Sequence, residues 1–168
     1  MLKLGVGLSP IAAIEGSTAH LKLTAYPSNP SVTVGTRFSI VVEIEPNANM
    51  HVYAPGAEAM GYRVVSRNHT PTPHVRVEPV EFPQSEIYHF EPLDERVPVY
   101  QSPFLLLQEA VVAATPQTEE ALAELDALTL SGSFDYQACD DEICFPPVSL
   151  PLSFTLDLDL LDRQRANR

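Results

Sequence analysis

An all-β chain, folded as an antiparallel β-sandwich of immunoglobulin-like type, is what this sequence predicts, on three observations. Alternating apolar and polar stretches recur along it, turn-forming residues punctuate them at short intervals, and a single segment has helical spacing. Sixteen prolines and no tryptophan among 168 residues fit a turn-rich β-protein better than a helical bundle. The length suits one domain, and a hydrophobic content of 45% supplies an ordinary core.

Residues 1–17 read as a flexible lead-in or linker, residues 18–161 as the domain, and residues 162–168 as a basic tail carrying Arg163, Arg165 and Arg168. The first strand is expected over His20 to Tyr26, where Leu21, Leu23 and Ala25 share a face before Pro27, Asn29 and Pro30 stop it. The clearest period of two follows, with Phe38, Ile40, Val42 and Ile44 on one side. Pro46-Asn47-Ala48-Asn49 then turns the chain into a short strand, Met50 to Gly56. Tyr62 to Ser66 resumes extended structure after Gly61, and His74 to Val80 contributes Val75 and Val77.

Pro83 to Pro98 reads as an irregular loop. It displays Tyr88, His89, Phe90 and Leu93, and a loop with such large side chains is expected to pack them over something. Pro103 to Ala114 predicts a strand in which Leu105, Leu107, Glu109, Val111 and Ala113 share one parity. The helical signal is Thr118 to Leu128, with Thr118 as the cap and Leu122, Leu125 and Leu128 at helical spacing. Thr129 to Ala138 and Val148 to Leu160 are then two strands of a hairpin, the second alternating through Leu150, Leu152, Phe154, Leu156, Leu158 and Leu160.

Between those strands lie both cysteines of the chain, Cys139 and Cys144. Two sulfurs so close in sequence meet only if the backbone turns back between them, and Asp140-Asp141 is a suitable polar tip. The pair is bonded or bondable. A bridge closing so short a loop adds only about 2 kcal/mol in the chain-entropy model, a weak staple for a chain that can bury a core unaided. Spacing alone leaves open a structural strut and a redox device, and does not say which sulfur would bond a partner.

Acidic side chains outnumber basic ones by 22 to 10. That balance argues against nucleic acid and anionic membrane surfaces as partners and favours basic protein faces. No stretch has the length of a membrane span. Lys3 followed by Leu4 to Ile14 makes a poor signal peptide, interrupted by Gly5, Gly7 and Pro10, which leaves a secretion signal already removed or, the favoured expectation, a piece of a longer polypeptide. His51, His69, His74 and His89 are scattered and Cys-x4-Cys is not a usual zinc spacing, so no metal site is expected. Nucleophile elbows, phosphate-binding glycine loops and His-Glu-x-x-His runs are absent.

Tyr136-Gln137-Ala138-Cys139, a few acidic residues, then Cys144-Phe145-Pro146-Pro147 resembles the signature of the N-terminal periplasmic domain of the DsbD family of thiol:disulfide interchange proteins. His51-Val52-Tyr53-Ala54 and the segment from Phe82 to Tyr100 are weaker echoes, so the likeness runs roughly from Leu21 to Leu160. The resemblance implies an immunoglobulin-like domain, periplasmic or otherwise extracytoplasmic, whose cysteines cycle between dithiol and disulfide without any cofactor. It implies thioredoxin-like redox partners, in the same polypeptide or another, and a protein-disulfide reductase role. It also implies that Cys144 bonds the partner and Cys139 resolves. The loop between the cysteines is one residue shorter than in the best-known members.

Around that pair, Tyr53 and Tyr136 are candidates to line the site with hydroxyls, although core tyrosines are the commoner outcome. Phe90 and Leu93 are candidates for a lid over the sulfurs, with filling of the sandwich end as the plainer reading. Asp140, Asp141 and Glu142 put negative charge beside the sulfurs and disfavour a thiolate, so the reduced pair is expected to be a sluggish nucleophile until a partner docks. The competing function is a non-catalytic binding or spacer module with a structural disulfide. Donor, acceptor, direction of electron flow and oligomeric state are not legible.

Overall fold

The computed structural model describes residues 13–159, and the expected basic tail and the start of the lead-in lie outside them. Alternation dictates the architecture. Leu21, Leu23 and Ala25 of β2 (Leu21–Pro27) and Phe38, Ile40, Val42 and Ile44 of β4 (Arg37–Pro46) are all buried, while their neighbours Lys22 and Glu43 face out. These strands pair antiparallel with each other, with β1 (Ile14–Ser17) on one side and with β10 (Phe104–Val112) on the other. β7 (Val75–Val77) completes this sheet in the order β1-β2-β4-β10-β7.

The opposing sheet is built on the hairpin of β11 (Ala127–Tyr136) and β13 (Val148–Leu158). β3 (Ser31–Val32) adds to β13 in parallel, and β6 (Ser66–His69) adds antiparallel to β11. Leu128, Leu130, Phe134, Leu152, Phe154 and Leu156 from this sheet meet the apolar face of the first sheet in one continuous core. Phe134 and Leu130 are wholly excluded from water, and losing either side chain would cost about 3 to 5 kcal/mol for the aromatic and about 2 to 5 for the leucine. The result is an immunoglobulin-like β-sandwich, with one α-helix among the described residues.

Four expectations are corrected. Residues 14–17, assigned to the lead-in, form β1, because four residues register against Lys22 to Ala25. In β10 the core takes Leu106, Ala110 and Val112, and Leu105 of the opposite parity is 41% exposed. The helix, α1 (Pro116–Ala123), is capped by Thr115, whose hydroxyl accepts the Thr118 N–H at 3.2 Å. Pro116 in the first turn favours that start, and Thr118 itself is buried against His74 and Thr115. Leu125 and Leu128 fall beyond the helix, so helical spacing overran its true end.

The fourth correction matters most for the site. The segment expected as an irregular loop contains a regular hairpin of β8 (Glu86–Phe90) and β9 (Glu95–Tyr100). A tight 3-10 turn over Glu91–Leu93 joins them, and Asp94 in the left-handed region (φ 47°) ends it. β9 pairs with β5 (His51–Tyr53), and β5 pairs with β12 (Ala138–Cys139), giving a third sheet in the order β12-β5-β9-β8. β12 continues β11 after a single residue, Gln137, so this small sheet hangs on the end of the main hairpin and carries the first cysteine with it.

Arg67 is a departure from the apolar interior. On β6 it is only 4% exposed, lies 6.0 Å from the centre of the Phe154 ring, and has no hydrogen-bond partner for any guanidinium nitrogen among the described residues. Burial pushes the guanidinium down to about 10, which still leaves it charged at neutral pH. Gly132 makes room on the adjacent strand, since a Cβ there would stand 2.0 Å from the Asn68 carbonyl oxygen.

Candidate redox site

Cys139 and Cys144 are joined by a disulfide, with Cα atoms 4.0 Å apart. The intervening Asp140 to Ile143 forms the turn that spacing implied. Asp140 N–H donates to the Ile143 carbonyl at 3.0 Å, and Phe145 N–H donates to the Ala138 carbonyl at 2.9 Å. The Asp140 carboxylate accepts from the Ile143 N–H at 2.7 Å and the Glu142 N–H at 2.8 Å, the local bonding that suits aspartate to a turn. Those two backbone donors hold its carboxyl below the usual range. Gln137 ties the exit, its side-chain amide donating to the Phe145 carbonyl at 3.3 Å.

The two sulfur-bearing residues differ in access. Cys139 is 1% exposed, whereas Cys144 and its neighbour Ile143 are open to solvent, Ile143 at 56%. The difference follows from the elements: Cys139 sits in the ladder of β12, and Cys144 leaves the turn toward the exposed Pro146-Pro147.

A recess of about 70 Å³ adjoins the sulfurs, walled by His51, Tyr53, Tyr62, Tyr88, Phe90 and the turn. Tyr53 stands nearest. Its oxygen lies 3.0 Å from Cys139 Sγ and 3.4 Å from Cys144 Sγ, and because a bonded sulfur carries no hydrogen the phenol is the donor. Burial pushes the Tyr53 hydroxyl far up, helped by Tyr62, Glu95 and Tyr88, so it keeps its proton throughout the physiological range. Tyr62 stacks on it with centroids 4.1 Å apart. The chain returns to deliver Tyr62 through a turn over Ala57–Met60 flanked by Gly56 (φ 106°) and Gly61 (φ 88°), left-handed positions that favour glycine.

The β8–β9 hairpin forms the far wall of the recess. Tyr88 and Phe90 share its inward parity, Tyr88 stacks on His51 at 4.3 Å, and the Tyr88 hydroxyl donates to the Asp141 carboxylate at 2.9 Å. His51 is buried beside Tyr53, at a centroid distance of 5.6 Å, and lies opposite Cys139 in the strand register. Burial lowers its affinity for a proton, partly offset by Asp141 and Asp140.

Of the side chains singled out from sequence, Tyr53 and Phe90 therefore lie with the two sulfurs. Leu93 does not: at the hairpin tip it is 69% exposed and lies outside the recess wall. Tyr136 is also elsewhere. It is packed in the main core, with its hydroxyl 2.8 Å from Thr18 Oγ1 and 3.1 Å from His20 Nδ1. Its parity on β11 turns it inward with Phe134, whereas the sulfurs come later, on β12 and beyond the turn. His51, Tyr62 and Tyr88 were not anticipated. Period two would have found two of them, because His51 shares a face with Tyr53 and Tyr88 with Phe90; Tyr62 arrives by a turn that no local pattern specifies.

The family model for the N-terminal region of the thiol:disulfide interchange protein DsbD matches residues 21–153. The chain belongs to this family. A disulfide in an exposed turn is chemically able to undergo thiol-disulfide exchange. Among solved structures, the N-terminal periplasmic domain of ScsB from Proteus mirabilis shares the fold at 14% identity, with a TM-score of 0.56 over 88% of this chain and 50% of that one. The chain thus spans half the length of that structure. No curated protein sequence matches it. Among the described residues no helix is long and apolar enough to cross a membrane.

Proposed function

We propose that this domain relays electrons between thioredoxin-like proteins in the periplasm, through alternate opening and closing of the Cys139–Cys144 bond. The observation that carries the reading is the unequal placement of the sulfurs: the open Cys144 is available to another protein, and Cys139 waits beneath it.

In the reducing half-cycle a partner thiolate attacks Cys144 Sγ. A mixed disulfide forms, the Cys139–Cys144 bond breaks, and Cys139 departs with the electron pair and takes up a proton. The Tyr53 hydroxyl, already 3.0 Å from Cys139 Sγ, stabilises the charge that develops there. A second partner thiol then frees Cys144 and leaves the dithiol. Handing electrons on reverses these events, with Cys144 attacking the acceptor and Cys139 resolving.

Exposed Ile143 flanks the open cysteine with apolar surface, while Asp141 and Glu142 of the same turn rim it with negative charge. A partner with a basic rim around an apolar groove fits that face, and association should slow with salt. Single-cysteine variants test the assignment. Cys139→Ser should accumulate a stable mixed disulfide with a thioredoxin-like protein through Cys144, and Cys144→Ser should accumulate little. Equal trapping by both, or by neither, contradicts the reading.

A further inference from the structure

Resting on that reading, we propose that His51 accepts the Cys139 proton in the step in which Cys139 resolves the mixed disulfide at Cys144. The placement comes from the ladder: His51 is the register partner of Cys139, and directly opposed residues of an antiparallel pair project to the same face, about 5 Å apart at Cβ. Both line the recess. Stacking on Tyr88 at 4.3 Å and edge contact with Tyr53 at 5.6 Å hold the ring where it is.

The groups facing this ring leave it as the base. Asp140, Asp141 and Glu142 of the turn are carboxylates, ordinarily too weak as bases to hold a thiol proton near neutral pH. Tyr53 on the same strand, Tyr88 from β8 and Tyr62 behind Tyr53 are phenols raised chiefly by burial, and remain donors. Glu95 of β9 acts on Tyr53 and Tyr62 and does not wall the recess. His51 is the remaining titratable side chain, and burial keeps its imidazole unprotonated at neutral pH.

The Cys139 thiol gives its proton to His51, and the thiolate attacks Cys144 Sγ. The Cys139–Cys144 bond forms, the bond from Cys144 to the partner sulfur breaks, and the partner leaves as a thiolate that collects the proton from His51 or water. Such proton transfer ordinarily contributes at least about a hundredfold. This assigns His51 a part that no other wall residue can fill, and it reconciles an acidic turn hostile to thiolates with a pair that must nonetheless react.

The experiment follows the two phases of aromatic thiol release when the reduced protein meets an aromatic disulfide such as dithiobis(nitrobenzoate). The first reports attack by Cys144 and the second resolution by Cys139. In His51→Gln the second phase should slow about a hundredfold at neutral pH with the first little changed. The deficit should vanish above about pH 9, where a free thiol of pKa about 8.5 ionises unaided. An unchanged second phase overturns the inference, as does a deficit that persists at high pH. If the variant does not fold, NMR titration of the reduced wild type decides: the His51 ring should titrate below about 6.5 and shift on Cys139→Ser, and a ring insensitive to Cys139 overturns the assignment. Loss of the first phase in wild type would instead strike the exchange function itself.

Discussion

The molecule has two buried clusters built on different terms. The larger is aliphatic and phenylalanine-rich, filled by alternating residues of two sheets, with Leu130, Phe134, Phe154 and Leu156 at its centre. The smaller gathers Tyr53, Ala57, Val97, Val99 and Cys139, with Tyr62, Val64 and Tyr88 packed against it. The first admits few polar side chains, Arg67 and Gln108 among them. The second places a phenol hydroxyl on a sulfur. The difference teaches that the large cluster makes the fold and the small one uses it, so substitutions should separate stability from reactivity.

The largest separation is expected from Phe134→Ala. It should cost about 3 to 5 kcal/mol of stability in urea unfolding, while the surviving native fraction exchanges disulfides normally. Replacing both cysteines by serine should do the reverse: stability falls by about 2 kcal/mol, and exchange with any thiol partner disappears. Were that double variant to lose stability on the scale of Phe134→Ala, the bridge would belong with the core.

Arg67→Met sharpens the contrast from within the larger cluster. Removing a buried charge that has no counter-charge among the described residues should raise stability by about 1 kcal/mol or more, read as a higher urea midpoint with an unchanged slope. Tyr53→Phe is smaller again, about 1 kcal/mol. It should nevertheless slow reduction of the bond by small thiols, because the departing Cys139 loses its donor.

Acid should reveal both clusters together. His51 and His69 are each lowered by burial, so their unfolded forms bind protons more tightly than the folded ones. Their contribution is present above the unfolded value of about 6.5 and is lost as pH falls through the lower folded value. Melting temperature should therefore decline from neutral pH toward pH 5, and His51→Gln and His69→Gln should each flatten the curve.

How much of this was legible depended on whether the signal was local. Period two read β2, β4 and β13 correctly because each buries one face, and the turn at Asp140 was readable because its bonds lie within four residues. The β8–β9 hairpin was missed because Pro83 to Pro98 is polar and aromatic, with no apolar run to mark a strand. Its strands are held instead by pairing from Glu86 to Val99, with Pro98 tolerated opposite Ile87. The parity of β10 misled because both of its faces carry leucine and valine, and only pairing with β4 and β7 decides which face turns in. Tyr136 stood three residues from Cys139 yet faces the core, whereas Tyr53 reaches the sulfurs, and Tyr88 the turn between them, from strands far away in sequence.

The central claim is that the Cys139–Cys144 bond exists to be opened, and its reduction potential in the native protein tests that most directly. Equilibration in defined thiol buffers should give a value well above about −300 mV, the region below which structural disulfides usually lie, with the folded domain intact on both sides of the transition. A value below about −300 mV, or a bond that yields only when the protein unfolds, would contradict the account.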